Sequence, residues 1–177
     1  SSPVVVGGRV YLTAAVPLQG GDQDGARSLR ALCLDAGTGK VLWEREAFRQ
    51  PARAPAIHSK NSHASPTPLV RGRRLYVHFG HQGTACLDLD GKVLWRNHTL
   101  TYTPVHGNGG SPVLAGKALI FSGDGGDRRF VAALDRDTGK VLWKAKRPGR
   151  PARQFSFSTP LVIAVKGQQQ VVSPGSD

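Results

Sequence analysis

The hydrophobic residues of this chain come in short runs cut by Gly, Pro, Asp and Thr, such as Val4-Val5-Val6, Val10-Tyr11-Leu12, Leu75-Tyr76-Val77, Leu119-Ile120-Phe121 and Leu161-Val162-Ile163. No stretch carries apolar residues at the 3.6-residue spacing of an amphipathic helix. Short apolar runs bounded by turn residues are strand signals. The pattern predicts an essentially all-β chain.

Three of the runs close on one phrase. Its fullest form is Ala133-Leu134-Asp135-Arg136-Asp137-Thr138-Gly139-Lys140-Val141-Leu142-Trp143. A second copy runs from Cys33 to Trp43, and a third from Cys86 to Trp95, one residue shorter because its Thr is missing. A companion phrase lies upstream of each: Pro3–Leu12, Pro68–Val77 and Pro112–Phe121, with a fourth beginning at Thr159. The three Trp, at 43, 95 and 143, are 52 and 48 residues apart. That spacing matches one four-stranded propeller blade of roughly 40–50 residues.

The expected fold is therefore a β-propeller of four-stranded antiparallel blades. The chain carries about three and a half of them, near residues 1–47, 64–98, 110–146 and 156–177. Closed propellers take about 4 to 8 blades, so the chain is expected to be a piece of a longer propeller whose remaining blades pack beside it. Within each unit a Pro-initiated strand leads through a Gly turn to a second strand (Arg9–Ala14, Leu75–Phe79, Ala118–Ser122). A third strand ends in Leu-Asp, and a Gly-Lys turn opens the fourth. The Asp and Thr of that turn can bond local amides, while Gly39, Gly91 and Gly139 supply its positive φ.

The phrase at 133–143 resembles the tryptophan-docking motif of the PQQ-type β-propeller repeat, and the resemblance covers essentially the whole chain. It implies that Trp43, Trp95 and Trp143 pack between neighbouring blades, against the small residue (Cys33, Cys86 or Ala133) and the Gly turn of the next repeat. The copy without Thr should dock more loosely. The family includes quinoprotein alcohol and sugar dehydrogenases, which carry PQQ and calcium. It also includes the scaffold lipoprotein of the outer-membrane barrel-assembly machine, and many extracytoplasmic proteins without an assigned reaction. The resemblance implies an extracytoplasmic location, periplasmic or anchored on the periplasmic side.

Composition changes this picture little. Two Cys in 177 residues give neither a disulfide framework nor a metal cluster. Cys33 and Cys86 read as small core residues. No apolar run is long enough to cross a bilayer as a helix. The formal charge of +12 comes from 24 Lys and Arg against 12 Asp and Glu. Much of it falls in two expected inter-blade linkers, Arg45–Arg53 and Lys144–Arg153. Such patches attract polyanions, but few aromatics interleave for base stacking, so nucleic acid is not an expected partner.

The best candidate chemistry precedes the first strands of the second and third blades. There His58, Asn61, His63, His106 and Asn108 could converge on the mouth of the channel and hold a ligand or metal. Gly107, Gly109 and Gly110 would let a ligand approach the backbone. The competing reading is polar turns that satisfy backbone groups. The acidic loops 20–25 and 123–127 lack a full calcium-loop pattern and read as hairpin turns. There is no nucleophile elbow and no zinc-ligand spacing. Two features of the resembled dehydrogenases are also missing: an adjacent Cys pair, and a Glu/Asn/Asp calcium set that maps onto these residues. No catalytic or metal-binding residue is expected. The expectation is a non-catalytic platform for other proteins or a small ligand, without a cofactor. The alternatives are a PQQ- and calcium-dependent dehydrogenase, or a ligand-sensing propeller of a larger protein.

Overall fold

The structure is a computed structural model that describes residues 1–18, 25–149 and 152–175. The acidic loop at 20–25 lies outside the described residues except for Gly25, as do Arg150 and Pro151 of the second basic segment.

The described residues are all-β, with three four-stranded antiparallel sheets and a hairpin, each sheet a simple meander. The first sheet holds β1 (Val4–Val6), β2 (Arg9–Pro17), β3 (Arg27–Asp35) and β4 (Val41–Gln50). The second holds β5 (Leu69–Arg71), β6 (Arg74–His78), β7 (Thr84–Asp88) and β8 (Val93–Asn97). The third holds β9 (Val113–Ala115), β10 (Ala118–Asp124), β11 (Arg129–Asp135) and β12 (Val141–Lys146). The hairpin is β13 (Leu161–Val165) with β14 (Gln168–Val172). This is a partial β-propeller whose sheets do not close into a ring.

The core sits between sheets, because the central strands are apolar on both faces. On β6, Leu75 and Val77 join Tyr11, Leu29, Ala31 and Cys33 of the first sheet. The alternate Tyr76 joins Leu119, Phe121 and Leu134 of the third. A strand's side chains alternate between its faces, so one buried strand serves two interfaces.

The three repeated phrases fold alike. Each places a bulge just after its small residue, at Cys33/Leu34, Cys86/Leu87 and Ala133/Leu134. In the full-length turns the Asp carboxylate caps the loop. Asp35 Oδ1 accepts from the Thr38 amide (2.7 Å) and hydroxyl (2.8 Å), and Asp135 Oδ1 from the same groups of Thr138 (2.8 and 3.0 Å). These bonds hold both carboxyls below the usual Asp range, with the Thr38 hydroxyl leading at Asp35 and the Thr138 amide at Asp135. In the shorter turn Asp88 Oδ1 accepts from the Asp90 and Lys92 amides instead (3.0 and 2.8 Å).

Two tryptophans cross from one sheet to the next. Trp43 Nε1 donates to Leu89 O (2.9 Å), and Trp95 Nε1 to Arg136 O (3.0 Å). Each indole lies on the turn glycine. A Cβ on Gly91 would come within 2.9 Å of Trp43 Cδ2, and one on Gly139 within 2.5 Å of Trp95 Cε3. With φ of +87° and +72°, both positions need glycine for the turn and for the approach of the ring. Trp143 is 40% exposed.

The small residue plays a different part from the one expected. Cys33, Cys86 and Ala133 pair across the ladder with Trp43, Trp95 and Trp143 of their own sheets. Cys86 shares its core cluster with Trp95, not with Trp43. A small side chain opposite leaves room for the indole to lean toward the neighbouring sheet. Both cysteines are free and buried, and burial pushes the Cys86 thiol up to about 11.

Most of the first basic segment is strand, and only residues 51–53 lie in a connection. Arg45 to Gln50 extend β4, and Glu44 and Glu46 pair there with Arg30 (2.9 Å) and Arg49 (3.5 Å). Likewise Gly123 and Asp124 belong to β10 rather than to a loop.

Candidate functional site

The connections between sheets, residues 51–68, 98–112 and 152–160, run side by side and are stitched by hydrogen bonds. Thr13 Oγ1 donates to Ala64 O (3.1 Å), the Thr67 amide to Ser111 Oγ (2.9 Å), and the Ser111 amide to Thr159 Oγ1 (3.0 Å). Short polar side chains thus satisfy the backbone of one connection with the next.

His58, Asn61 and His106 come together here. The His58 amide donates to His106 O (3.3 Å), and Asn61 Nδ2 donates to His106 O (2.8 Å) and Asn108 O (3.3 Å). Asn61 Oδ1 accepts from the Ser62 amide (2.8 Å) and from the Ser65 hydroxyl. The Asn61 carboxamide is thereby fully engaged in joining the loops. The His58 and His106 rings meet edge to face with centroids 5.6 Å apart, and Phe155 meets His106 edge to face at 4.6 Å. His58 Nδ1 accepts from the Lys60 amide (3.1 Å), so its neutral ring carries the proton on Nε2 and presents a donor.

The His58–His63 loop divides two cavities. One, of about 450 Å3, is lined by His58 and His63 together with Arg27 and Gln50. The other, of about 500 Å3, is lined by His58, Lys60, Asn61, His106, Gly109 and Phe157. His63 therefore faces a different cavity from His106.

Asn108 does not join them. Its side chain is buried, 6% exposed. Its Oδ1 accepts from the Tyr102 hydroxyl (2.8 Å), while Nδ2 reaches Phe79 O (3.4 Å) and His81 Nδ1 (3.2 Å). Space for the carboxamide comes from Gly80, where a Cβ would sit 1.9 Å from Asn108 Cγ. The glycines beside it admit protein rather than ligand: added Cβ atoms would meet Asn61 at Gly107, Phe157 at Gly109 and Ser158 O at Gly110, each at 2.7 Å.

Lys60 and Phe157 in the cavity wall, Phe155 against His106, and His81 against Asn108 are site groups that the sequence pattern missed. The signal for the Phe pair was positional. They precede the fourth copy of the repeat, just as His58–His63 and His106 precede the second and third.

Calcium takes six to eight oxygen ligands, carboxylates prominent among them. Neither cavity has an Asp or Glu in its wall, and the Asn61 oxygen is already engaged. Among the described residues no three His, Cys, Asp or Glu side chains are placed to hold a metal ion. The donor set of this site therefore does not fit calcium, and the neutral and cationic N–H groups suit an acceptor-rich or anionic ligand instead. Among the described residues no helix is long and apolar enough to cross a membrane.

The fold has clear counterparts. The chain is 32% identical over 133 residues to the quinohemoprotein alcohol dehydrogenase ADH IIB of Pseudomonas putida, covering 71% of this chain and 19% of that protein. It is also 32% identical over 133 residues to the 1-butanol dehydrogenase (quinone) of Thauera butanivorans, covering 64% and 19%. It thus spans about a fifth of the length of these relatives. Among solved structures, the quinohemoprotein alcohol dehydrogenase of Comamonas testosteroni superimposes with a TM-score of 0.59 at 22% identity, over 86% of this chain and 22% of that one. A family model described as outer membrane protein assembly factor BamB matches residues 1–176. The chain belongs to that PQQ-repeat family.

Proposed function

We propose that this chain is part of a non-catalytic, extracytoplasmic binding platform, with the connections around His58, Lys60 and His106 as its recognition surface. One observation carries the reading. The cavities flanking the His58–His63 loop are walled by N–H donors and a lysine without any carboxylate, so they offer recognition chemistry and no calcium cage. The description of the matching family as an outer membrane assembly factor supports both the location and a role in binding other proteins. Phe157 supplies an apolar wall beside the polar groups, the mixture of anchor and orienting donors that binding sites use.

A second reading is favoured by the 32% identity to the two quinone-linked dehydrogenases: the chain forms three and a half blades of such an enzyme. Titration calorimetry of the protein with PQQ, with and without Ca2+, separates the two. The platform gives no calcium-dependent heat, whereas stoichiometric, calcium-dependent binding establishes the dehydrogenase reading in its place.

A further inference from the structure

A third cavity, of about 380 Å3, opens at the third sheet beside β11 and β12, where five cations line it against one carboxylate: Arg128, Arg129, Lys144, Lys146 and Arg147 against Asp127. Two of the five are neutralised. Arg147 Nε pairs with the buried Asp124 Oδ1 at 2.8 Å, and its Nη atoms are held by Ser173 and Pro174. Arg128 pairs with Asp127 at 3.6 Å. Arg129, Lys144 and Lys146 make no ion pair among the described residues.

The fold holds these three together. Lys144 and Lys146 lie two apart on β12, opposite Ala132 and Phe130 of β11, and residues two apart project from the same face of a strand. Lys144 Nζ sits 4.3 Å from the centre of the Phe130 ring. Arg129 Nη2 donates to the carbonyls of Pro148 and Gly149, both at 2.8 Å, which fixes its guanidinium at the rim. Like charges gathered in a concavity repel one another, and an anion that enters turns that repulsion into attraction.

We propose that this cavity binds the phosphate group of a phosphate ester. A phosphate monoester carries a charge of about −1.5 to −2 and three strong acceptor oxygens. Three cations without an ion pair among the described residues supply matching charge, and charge-assisted hydrogen bonds are the strong ones. The same headgroup chemistry reaches the site either on a soluble molecule or on an anionic lipid.

The test is titration of the protein with inorganic pyrophosphate at low ionic strength, beside flotation with phosphatidylcholine vesicles that contain or lack phosphatidic acid. Lys144→Gln with Lys146→Gln should weaken pyrophosphate binding about tenfold or more, the order that the loss of one charge-assisted bond carries. Lys92→Gln with Lys117→Gln removes the same two charges elsewhere and should leave binding unchanged. Flotation that needs phosphatidic acid and is lost in the Lys144/Lys146 variant assigns the site to a lipid headgroup, and pyrophosphate binding without flotation assigns it to a soluble ester. Failure to bind pyrophosphate, or equal weakening by both double variants, overturns the proposal.

Discussion

The joint between the first and second sheets and the joint between the second and third use the same indole against two different turns. Trp43 meets the short turn that lacks Thr, and Trp95 meets the full one. The geometry barely differs. The indole bonds are 2.9 and 3.0 Å. The ring behind each Trp is a Tyr, with centroids 6.1 and 6.2 Å away and planes tilted 50° and 48°. The arginine that opens β2 or β6 braces each joint, Arg9 onto Leu89 O (2.9 Å) and Arg74 onto Asp137 O (3.3 Å). The missing Thr changes how Asp88 caps its own turn and leaves the indole bond no longer. What differs is exposure, since Trp95 is 9% exposed while Trp43 is only partly buried. The Thr thus belongs to the hairpin, and the glycine and the carbonyl belong to the joint.

The fillings of the two interfaces differ more than the joints do. The first is apolar, with Phe48 edge-on to Phe79 at 6.1 Å. The second buries His78, 1% exposed, against Phe121 at 4.4 Å, with its Nδ1 bonded to Thr84 Oγ1 at 2.8 Å. Three changes probe this contrast. The largest effect belongs to Trp95→Ala, which should cost about 3–5 kcal/mol in urea unfolding, as large-to-small core changes do. A loss below about 1 kcal/mol would mean that the indole contributes little packing.

Mild acid should act next, with its largest effect on the second interface. Burial, helped by the nearby His81, pushes the His78 imidazole down to about 3, whereas an unfolded His takes up a proton near 6.5. Above about pH 6.5 the group costs nothing, and as pH falls from there to about 3 the unfolded state gains about 1.4 kcal/mol per pH unit. His78→Gln should flatten this limb when stability is compared between neutral and mildly acid buffer, and an unchanged slope would place the acid sensitivity elsewhere. Asp35 and Asp135, whose carboxyls are held low, contribute stability that is lost only at more acid pH, below the ordinary Asp range. The smallest effect belongs to Asn97, whose Nδ2 donates to Gly139 O at 2.7 Å. Asn97→Ala should cost about 0.5–1.5 kcal/mol, the usual worth of one such bond, and no change in urea midpoint would remove it from the joint.

The repeated parts of this molecule were legible because repetition states a structural need three times over. The Leu-Asp…Gly-Lys-x-Leu-Trp phrase announced the hairpin, and each Trp sits two positions past the start of the last strand of its sheet. The partner of the small residue was not legible. Spacing places Cys33 and Trp43 on one hairpin, but the bulge at Cys33/Leu34 sets which of them stand opposite. The variable connections were half legible. His58, Asn61 and His106 converge because they hold equivalent places before successive sheets. Asn108, two residues past His106, turns inward because Gly80 and Tyr102 make a buried polar slot for it. That slot is assembled from two loops, and no local pattern records it. The pairing of Glu44 with Arg30 and of Glu46 with Arg49 was equally hidden, because it depends on β4 continuing past the Trp.

The frame rests on the claim that an indole lying on a turn glycine joins each sheet to the next, and a matched pair of substitutions tests it most directly. Gly39 and Gly139 occupy the same turn position with φ of +71° and +72°. An added Cβ has nothing within 4 Å at Gly39, but lies 2.5 Å from Trp95 at Gly139. Gly39→Ala should cost only the backbone strain of a left-handed residue, about 1–2 kcal/mol. Gly139→Ala should lose about 1–3 kcal/mol more, because its methyl displaces the indole. Urea unfolding that shows this difference supports the joint. Equal losses at the two glycines would contradict it.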